Sequence, residues 1–228
     1  MSGNQVLSDL DLAALLCSRV CHDVISPVGA IANGLEVLED EDDEDMRRTA
    51  MDLVQRSARQ ASAKLQFCRI AFGAAGSAGA TIDLGEAGDT AKAFVGEEKV
   101  KLDWQAPRIP LPKGEVKLLL NMMLLGIGAV PRGGTVSVAL EGGAPVVRAT
   151  GDAARVPEKA AQVLTGQFDA QELDARLVQP YYTRRLAEES GFEVRFEAEG
   201  NKITLRAHKI DQSEGAKKMA GSSPAMSL

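Results

Sequence analysis

An α+β fold is predicted: a long antiparallel helical hairpin followed by an α/β sandwich. Three features of the sequence carry this prediction. The first thirty or so residues hold a helical apolar period interrupted by a single proline. A run of acids then turns the chain into a second stretch of the same kind. After a small-residue linker, strand and helix patterns alternate as far as residue 209.

In the first stretch, apolar residues fall at Val6, Leu10, Ala13, Cys17, Val20 and Val24, alternating four and three apart. They resume at Val28, Ile31, Leu35 and Leu38, which describes a helix with a bundle-type seam. The register slips at Pro27. Proline lacks the N–H and clashes with the carbonyl four residues back, that of Asp23, so a bend is expected there. Seven consecutive acids, EDEDDED at residues 39 to 45, repel one another and read as a solvated turn. The later ones also suit the positive end of the next helix. That helix spans about Glu44 to Phe72, with Met46, Ala50, Leu53, Ser57, Ala61, Leu65, Cys68 and Phe72 on its buried side. Two such helices form a hairpin about 45 Å long. Alone it cannot bury its seam, so a homodimer forming a four-helix bundle is expected.

The chain then divides as follows: a hairpin at 1–75, a linker at 76–80 within GAAGSAGA, a second domain at 81–209, and a low-complexity tail at 210–228. In the second domain ATIDL and VKLDW read as strands on either side of a helix from Leu84 to Val95. Gly114 to Ile127 is strongly apolar and helical. TVSVAL, PVVRAT, FEVRFEA and KITLRAH read as antiparallel strands, and a helix from about Gln179 ends at Gly191.

Composition narrows the function. Apolar residues make up 45% and charged residues 25%, with a formal charge of −6. An acidic surface argues against a nucleic-acid partner. No run of about 18 apolar residues and no signal peptide stands out, so no membrane association is expected and the location is read as cytoplasmic. The three cysteines, Cys17, Cys21 and Cys68, form no CxxC pair, consistent with a reducing compartment. Cys17, Cys21 and His22 lack a fourth partner at a sensible spacing, so no metal site is read.

Of the two histidines, His22 lies between the seam positions Val20 and Val24, about 200° around the helix from each. It therefore points away from the bundle axis. An imidazole presents a neutral nucleophilic nitrogen near pH 7. Asp23 beside it can hold one ring N–H and leave the other nitrogen's lone pair outward. Ser26, one turn along, can hydrogen-bond an attacking or leaving oxygen. Arg19, one turn back, can meet a phosphoryl charge as a docking residue. A nucleophile on a convex rod has no pocket, so a partner must bring the rest of the active site. That points to transfer between proteins.

HDVISPV, residues 22 to 28, resembles the H-box of histidine kinases: a phosphorylated His, an acid, two variable residues, Ser, Thr or Asn, Pro and an aliphatic residue. The likeness implies a dimerisation and histidine phosphotransfer (DHp) hairpin followed by a histidine kinase ATPase (GHKL or Bergerat) sandwich. His22 would be the phosphoacceptor, carried as phosphohistidine. Asp23 would be the general base or orienting acid, and Ser26 would handle water or the leaving phosphate. The nucleotide boxes depart from the kinase pattern. Asn121 matches the first asparagine of the N-box, but Leu125 stands where the metal-binding asparagine belongs. Ala149, Gly151 and Ala153 stand where an Asp-x-Gly-x-Gly box would be. Pro180, Tyr181 and Tyr182 replace a glycine-rich lid. Without that metal ligand and backbone the triphosphate charge goes unmet.

A kinase-like architecture with a lost ATP site is similar to the ChpT family of bacterial histidine phosphotransferases. The resemblance spans about residues 7 to 208. It implies a phosphorelay intermediate carrying phosphate from the receiver domain of a hybrid histidine kinase (CckA type) to cell-cycle response regulators (CtrA and CpdR type). No ATP would be bound, and Mg²⁺ would come with the receiver. Around His22, Leu15, Ile25 and Gly29 are candidate partner contacts, with Leu15 and Ile25 reading equally well as bundle core. Gln60 and Lys64 come level with His22 once the hairpin folds, and Lys64 reads equally as a solvated lysine. An active histidine kinase and a non-catalytic dimeric scaffold are the alternatives.

Overall fold

The computed structural model describes residues 6–73, 79–96 and 99–210. The central residues of the linker and nearly all of the C-terminal tail lie outside them. The hairpin is as expected. α1 spans Asp9–Asp40 and α2 spans Glu44–Ala71. Ser8 caps α1 by accepting from the Asp11 N–H, and Asp43 caps α2 by accepting from those of Asp45 and Met46. The acidic run is thus divided between a helix end, a cap and a helix start. Arg47 closes the turn by donating to the carbonyls of Leu38 and Glu41. α1 continues through Pro27, which is buried.

The face that α1 turns to α2 differs from the predicted seam. Pro27 and Gly34 are its buried residues. A Cβ on Gly34 would lie 2.7 Å from Val54 Cγ2 and 3.3 Å from the Ala50 carbonyl, so glycine permits the close crossing. On α2 the small members of the predicted stripe, Ala50, Ser57, Ala61 and Cys68, are buried. The large ones, Met46, Leu53 and Leu65, are exposed, as are Leu10, Val28 and Leu35 on α1. The predicted stripes therefore straddle two surfaces. Small residues meet within the hairpin, and large ones face out of the single chain.

The second domain contains β1 (Thr81–Asp83), α3 (Leu84–Val95), β2 (Val100–Trp104), β3 (Pro110–Pro112), α4 (Lys113–Ala129), β4 (Gly134–Glu141) and β5 (Ala144–Thr150). After these come α5 (Glu158–Leu164), a single 3-10 turn at Ala170–Glu172, α6 (Val178–Glu189), β6 (Phe192–Glu199) and β7 (Lys202–Lys209). Five strands form one sheet in the order β2-β4-β5-β7-β6. The expectation of an antiparallel sheet fails at one edge, where β2 pairs parallel with β4. A parallel pair needs a crossover, and α4 supplies it. β3 lies outside the sequence reading because its prolines marked a loop. It pairs with β1 in a separate two-stranded ribbon, an edge setting in which a missing N–H is tolerated.

α4 is buried nearly all round. Leu118, Leu119, Leu120, Met122 and Met123 are fully buried against Val136, Val138, Val147, Ile203 and Leu205 of the sheet. Each such side chain contributes about 1.5–3 kcal/mol on burial. A Cβ on Gly126 would lie 2.8 Å from Val147 Cγ1, so the helix sits directly on β5 there. The sheet's other side carries a charged ladder in which Glu141 accepts from Arg148 and Arg206. Those two guanidiniums hold its carboxyl below the usual range.

The hairpin and this domain share a core. Phe67 of α2 is fully buried and stacks on Phe94 of α3 with centroids 4.1 Å apart. Asn121 Nδ2 donates to the carbonyl of Ala71 at 3.0 Å. At the other end, the Leu7 N–H donates to the Tyr181 hydroxyl at 3.1 Å. Leu12 and Leu15 pack on Val163, Leu173 and Tyr181.

Candidate functional site

His22 sits in mid-α1, and its side chain is 79% exposed. This agrees with the outward direction derived from the helical period. Its Nδ1 lies 3.4 Å from Asp23 Oδ1. A carboxylate only accepts, so a hydrogen bond here makes Nδ1 the donor and leaves the Nε2 lone pair free. Arg19 Nε donates to Asp23 Oδ2 at 3.0 Å. The three side chains thus form a chain from guanidinium to carboxylate to imidazole, of which only the imidazole is largely exposed. Arg19 and Asp23 are 26% and 17% exposed.

The other candidate residues fall into two groups. Ser26 is exposed one turn beyond His22, Ile25 is 70% exposed, and Gly29 is exposed with nothing within 4 Å of where a Cβ would be. Together with His22 these three residues make an outward patch. Leu15 is half-buried and packs against the Leu173–Tyr181 cluster of the second domain, so it belongs to the packing between hairpin and domain. Arg19, half-buried beside the patch, is paired with Asp23. Lys64 and Gln60 are half-buried on α2.

Lys64 lines a cleft of about 250 Å³ with Arg19 and Asp23, closed on the far side by Phe94, Leu124 and Ile127. The sequence reading missed these three second-domain residues, because nothing in a helical period tells which distant helix will face it. The Arg19–Asp23 pair, by contrast, could be read from its i, i+4 spacing. Cys68 lies buried behind the cleft. Burial, and then the Asp23 charge, push its thiol up to about 11, so it stays protonated and inert.

The resemblance of the sequence to histidine kinases implies ATP with Mg²⁺, and the residues present do not fit that group. Leu125 is buried in the core cluster, offering methyl groups where a metal would need oxygen. The Asn121 amide faces inward, donating to Ala71 and Lys117 carbonyls. Ala149 is fully buried in β5 and has no acceptor for a base. Gln179 of α6 donates to the Asn121 carbonyl at 2.8 Å, and Tyr181 is buried, so α6 is fastened onto α4. Among the described residues, no three His, Cys, Asp or Glu side chains gather as a metal site.

By length and composition α1 is apolar enough to cross a membrane, although charged residues interrupt its apolar run. It nevertheless carries Arg19, His22 and Asp23 at its middle and packs along α2.

Residues 84–202 match the model of the histidine phosphotransferase C-terminal domain family. The chain is 51% identical over 212 residues to the protein phosphotransferase ChpT of Brucella abortus (strain 2308), covering 91% of this chain and all of the relative. A solved bacterial phosphotransferase aligns over 91% of this chain and all of its own, at 48% identity and a TM-score of 0.82. The histidine kinase domain of the blue-light activated kinase EL346 from Erythrobacter litoralis aligns at a TM-score of 0.41 and 16% identity. That alignment covers 79% of this chain and 94% of the kinase domain.

Proposed function

The chain belongs to the ChpT family of protein phosphotransferases, and from that premise we propose that His22 is the residue that carries the phosphoryl group. The observation behind this reading is the exposed imidazole whose Nδ1 is held by Asp23. A receiver domain phosphorylated on its aspartate docks over the patch formed by His22, Ile25, Ser26 and Gly29. The Nε2 lone pair attacks phosphorus as the bond to the receiver carboxylate breaks, and that carboxylate leaves as an anion. The ring, already protonated at Nδ1, becomes a cation, which the Asp23 carboxylate stabilises. Ser26 can donate to an oxygen of the transferred group. A second receiver then takes the phosphoryl group by the reverse steps. The receiver brings the Mg²⁺ that neutralises the phosphoryl oxygens. Positioning supplies much of the rate.

In this reading the donor is the receiver domain of a hybrid histidine kinase and the acceptors are response regulators of the cell cycle. The protein works in the cytoplasm, without ATP, as a homodimer through the exposed large residues of the hairpin. The buried Leu125 and inward Asn121 support the independence from ATP. The test is His22→Ala, mixed with an aspartyl-phosphorylated receiver. Transfer falls to background while the oligomeric state and folding are unchanged. Undiminished labelling of the variant would refute His22 as the acceptor.

A further inference from the structure

We propose that Arg19 is the positioning residue of the phosphoacceptor, acting through Asp23 to fix which nitrogen of His22 bears the proton. The inference rests on His22 as the phosphoacceptor and assigns a role to a residue that sequence alone places at the partner interface. An aspartate has two equivalent oxygens, and next to a histidine on an exposed helix it is free to rotate between solvent and ring. Here one oxygen is taken. Arg19 Nε, a turn earlier, donates to Oδ2 at 3.0 Å, leaving Oδ1 at 3.4 Å from His22 Nδ1. The planar guanidinium constrains the carboxylate plane as a point charge would not. With the plane fixed, only the tautomer with Nδ1–H satisfies Asp23, and the Nε2 lone pair faces the incoming phosphorus.

Burial strengthens the arrangement. The pair is 26% and 17% exposed whereas His22 is 79% exposed, so water and salt screen it less than an ordinary surface ion pair. The wall that shelters it belongs to the second domain: Phe94 from α3, and Leu124 and Ile127 from α4. The other titratable groups near the pair are Lys64 in the cleft and the protonated Cys68 behind it. A domain without nucleotide chemistry thus still acts on the reaction, by drying the back of the carboxylate that orients the ring. The guanidinium itself does not touch the phosphoryl group.

Nitrogen-15 NMR of the histidine-labelled full chain tests this without any receiver. There are two histidines, and His22→Gln assigns the signals. In the neutral ring His22 shows the Nδ1–H tautomer in the native protein. Arg19→Met and Arg19→Gln shift it toward the mixture of an unrestrained imidazole. They lower kcat for transfer from a phosphorylated receiver about ten-fold, as expected for partial loss of the correct tautomer, and leave KM for the receiver unchanged. Arg19→Lys restores part of both. An unchanged tautomer in both variants, or a loss confined to KM, would overturn the inference and return Arg19 to a docking role. Labelling of His22→Ala would instead count against the phosphoacceptor itself, so the two failures are distinguishable.

Discussion

At the scale of single residues, the molecule separates groups open to a partner from groups that only pack. His22 is exposed and held by one contact, whereas Cys68 is buried with its thiol pushed up to about 11. Lys117 is a third case. It is 8% exposed at the foot of α4, near the Tyr182 hydroxyl at 3.4 Å. Desolvation, and then Lys113, lower its pKa below the ordinary lysine value. The sign follows from proton counting: between the folded and unfolded values the unfolded chain binds more protons, so stability rises with pH across that window. Below the folded value the full penalty of a desolvated charge remains. Lys117→Met is therefore expected to be more stable than the native protein at pH 7 and to lose the gain on going to about pH 11.5, above the ordinary lysine value. Urea unfolding at the two pH values checks this.

At the scale of elements, the hairpin depends on a close crossing. Gly34→Leu forces a side chain into the space held by Val54 and the Ala50 carbonyl. It should destabilise by about 1–3 kcal/mol, the usual range for overpacking, measured by denaturant unfolding. The same crossing shows what the sequence could and could not disclose. Helical period and the acidic turn placed both helices to within a few residues. Period could not say which apolar stripe meets α2, because a bundle helix is apolar toward both its hairpin mate and a second copy. Ala50 and Ser57 went one way, Met46 and Leu53 the other. In the second domain β3 escaped because prolines signal loops, and the parallel β2–β4 pairing escaped because alternation does not encode strand direction. At the candidate site, the outward placement of His22 and Ser26 and the adjacency of Asp23 were legible from the helix itself. Phe94, Leu124 and Ile127 were not, since only the docking of α3 and α4 brings them near.

At the scale of the whole molecule, the hairpin and the second domain are joined at both ends. Asn121 and Phe67 tie one, and Tyr181 with Leu7 ties the other. An asparagine that in a kinase-like box would belong to nucleotide binding here holds the end of α2, and α6 is clamped to α4 through Gln179. What remains open is the outer face of the hairpin, where Leu35 is 48% exposed and Leu53 37%. In water this face calls for a second copy. Light scattering should give the mass of two chains for the native protein and of one chain for Leu35→Glu with Leu53→Glu. A monomeric native protein would contradict the dimer.

The most direct test of the central claim, that an outward imidazole is loaded by visiting receivers and not by nucleotide, is phosphopeptide mapping after two parallel incubations. One uses a labelled aspartyl-phosphorylated receiver, the other labelled ATP with Mg²⁺ and no receiver. The account predicts acid-labile, alkali-stable label on the peptide containing His22 in the first incubation and none in the second. Label on His22 from ATP alone, or label from the receiver on any other residue, would contradict it.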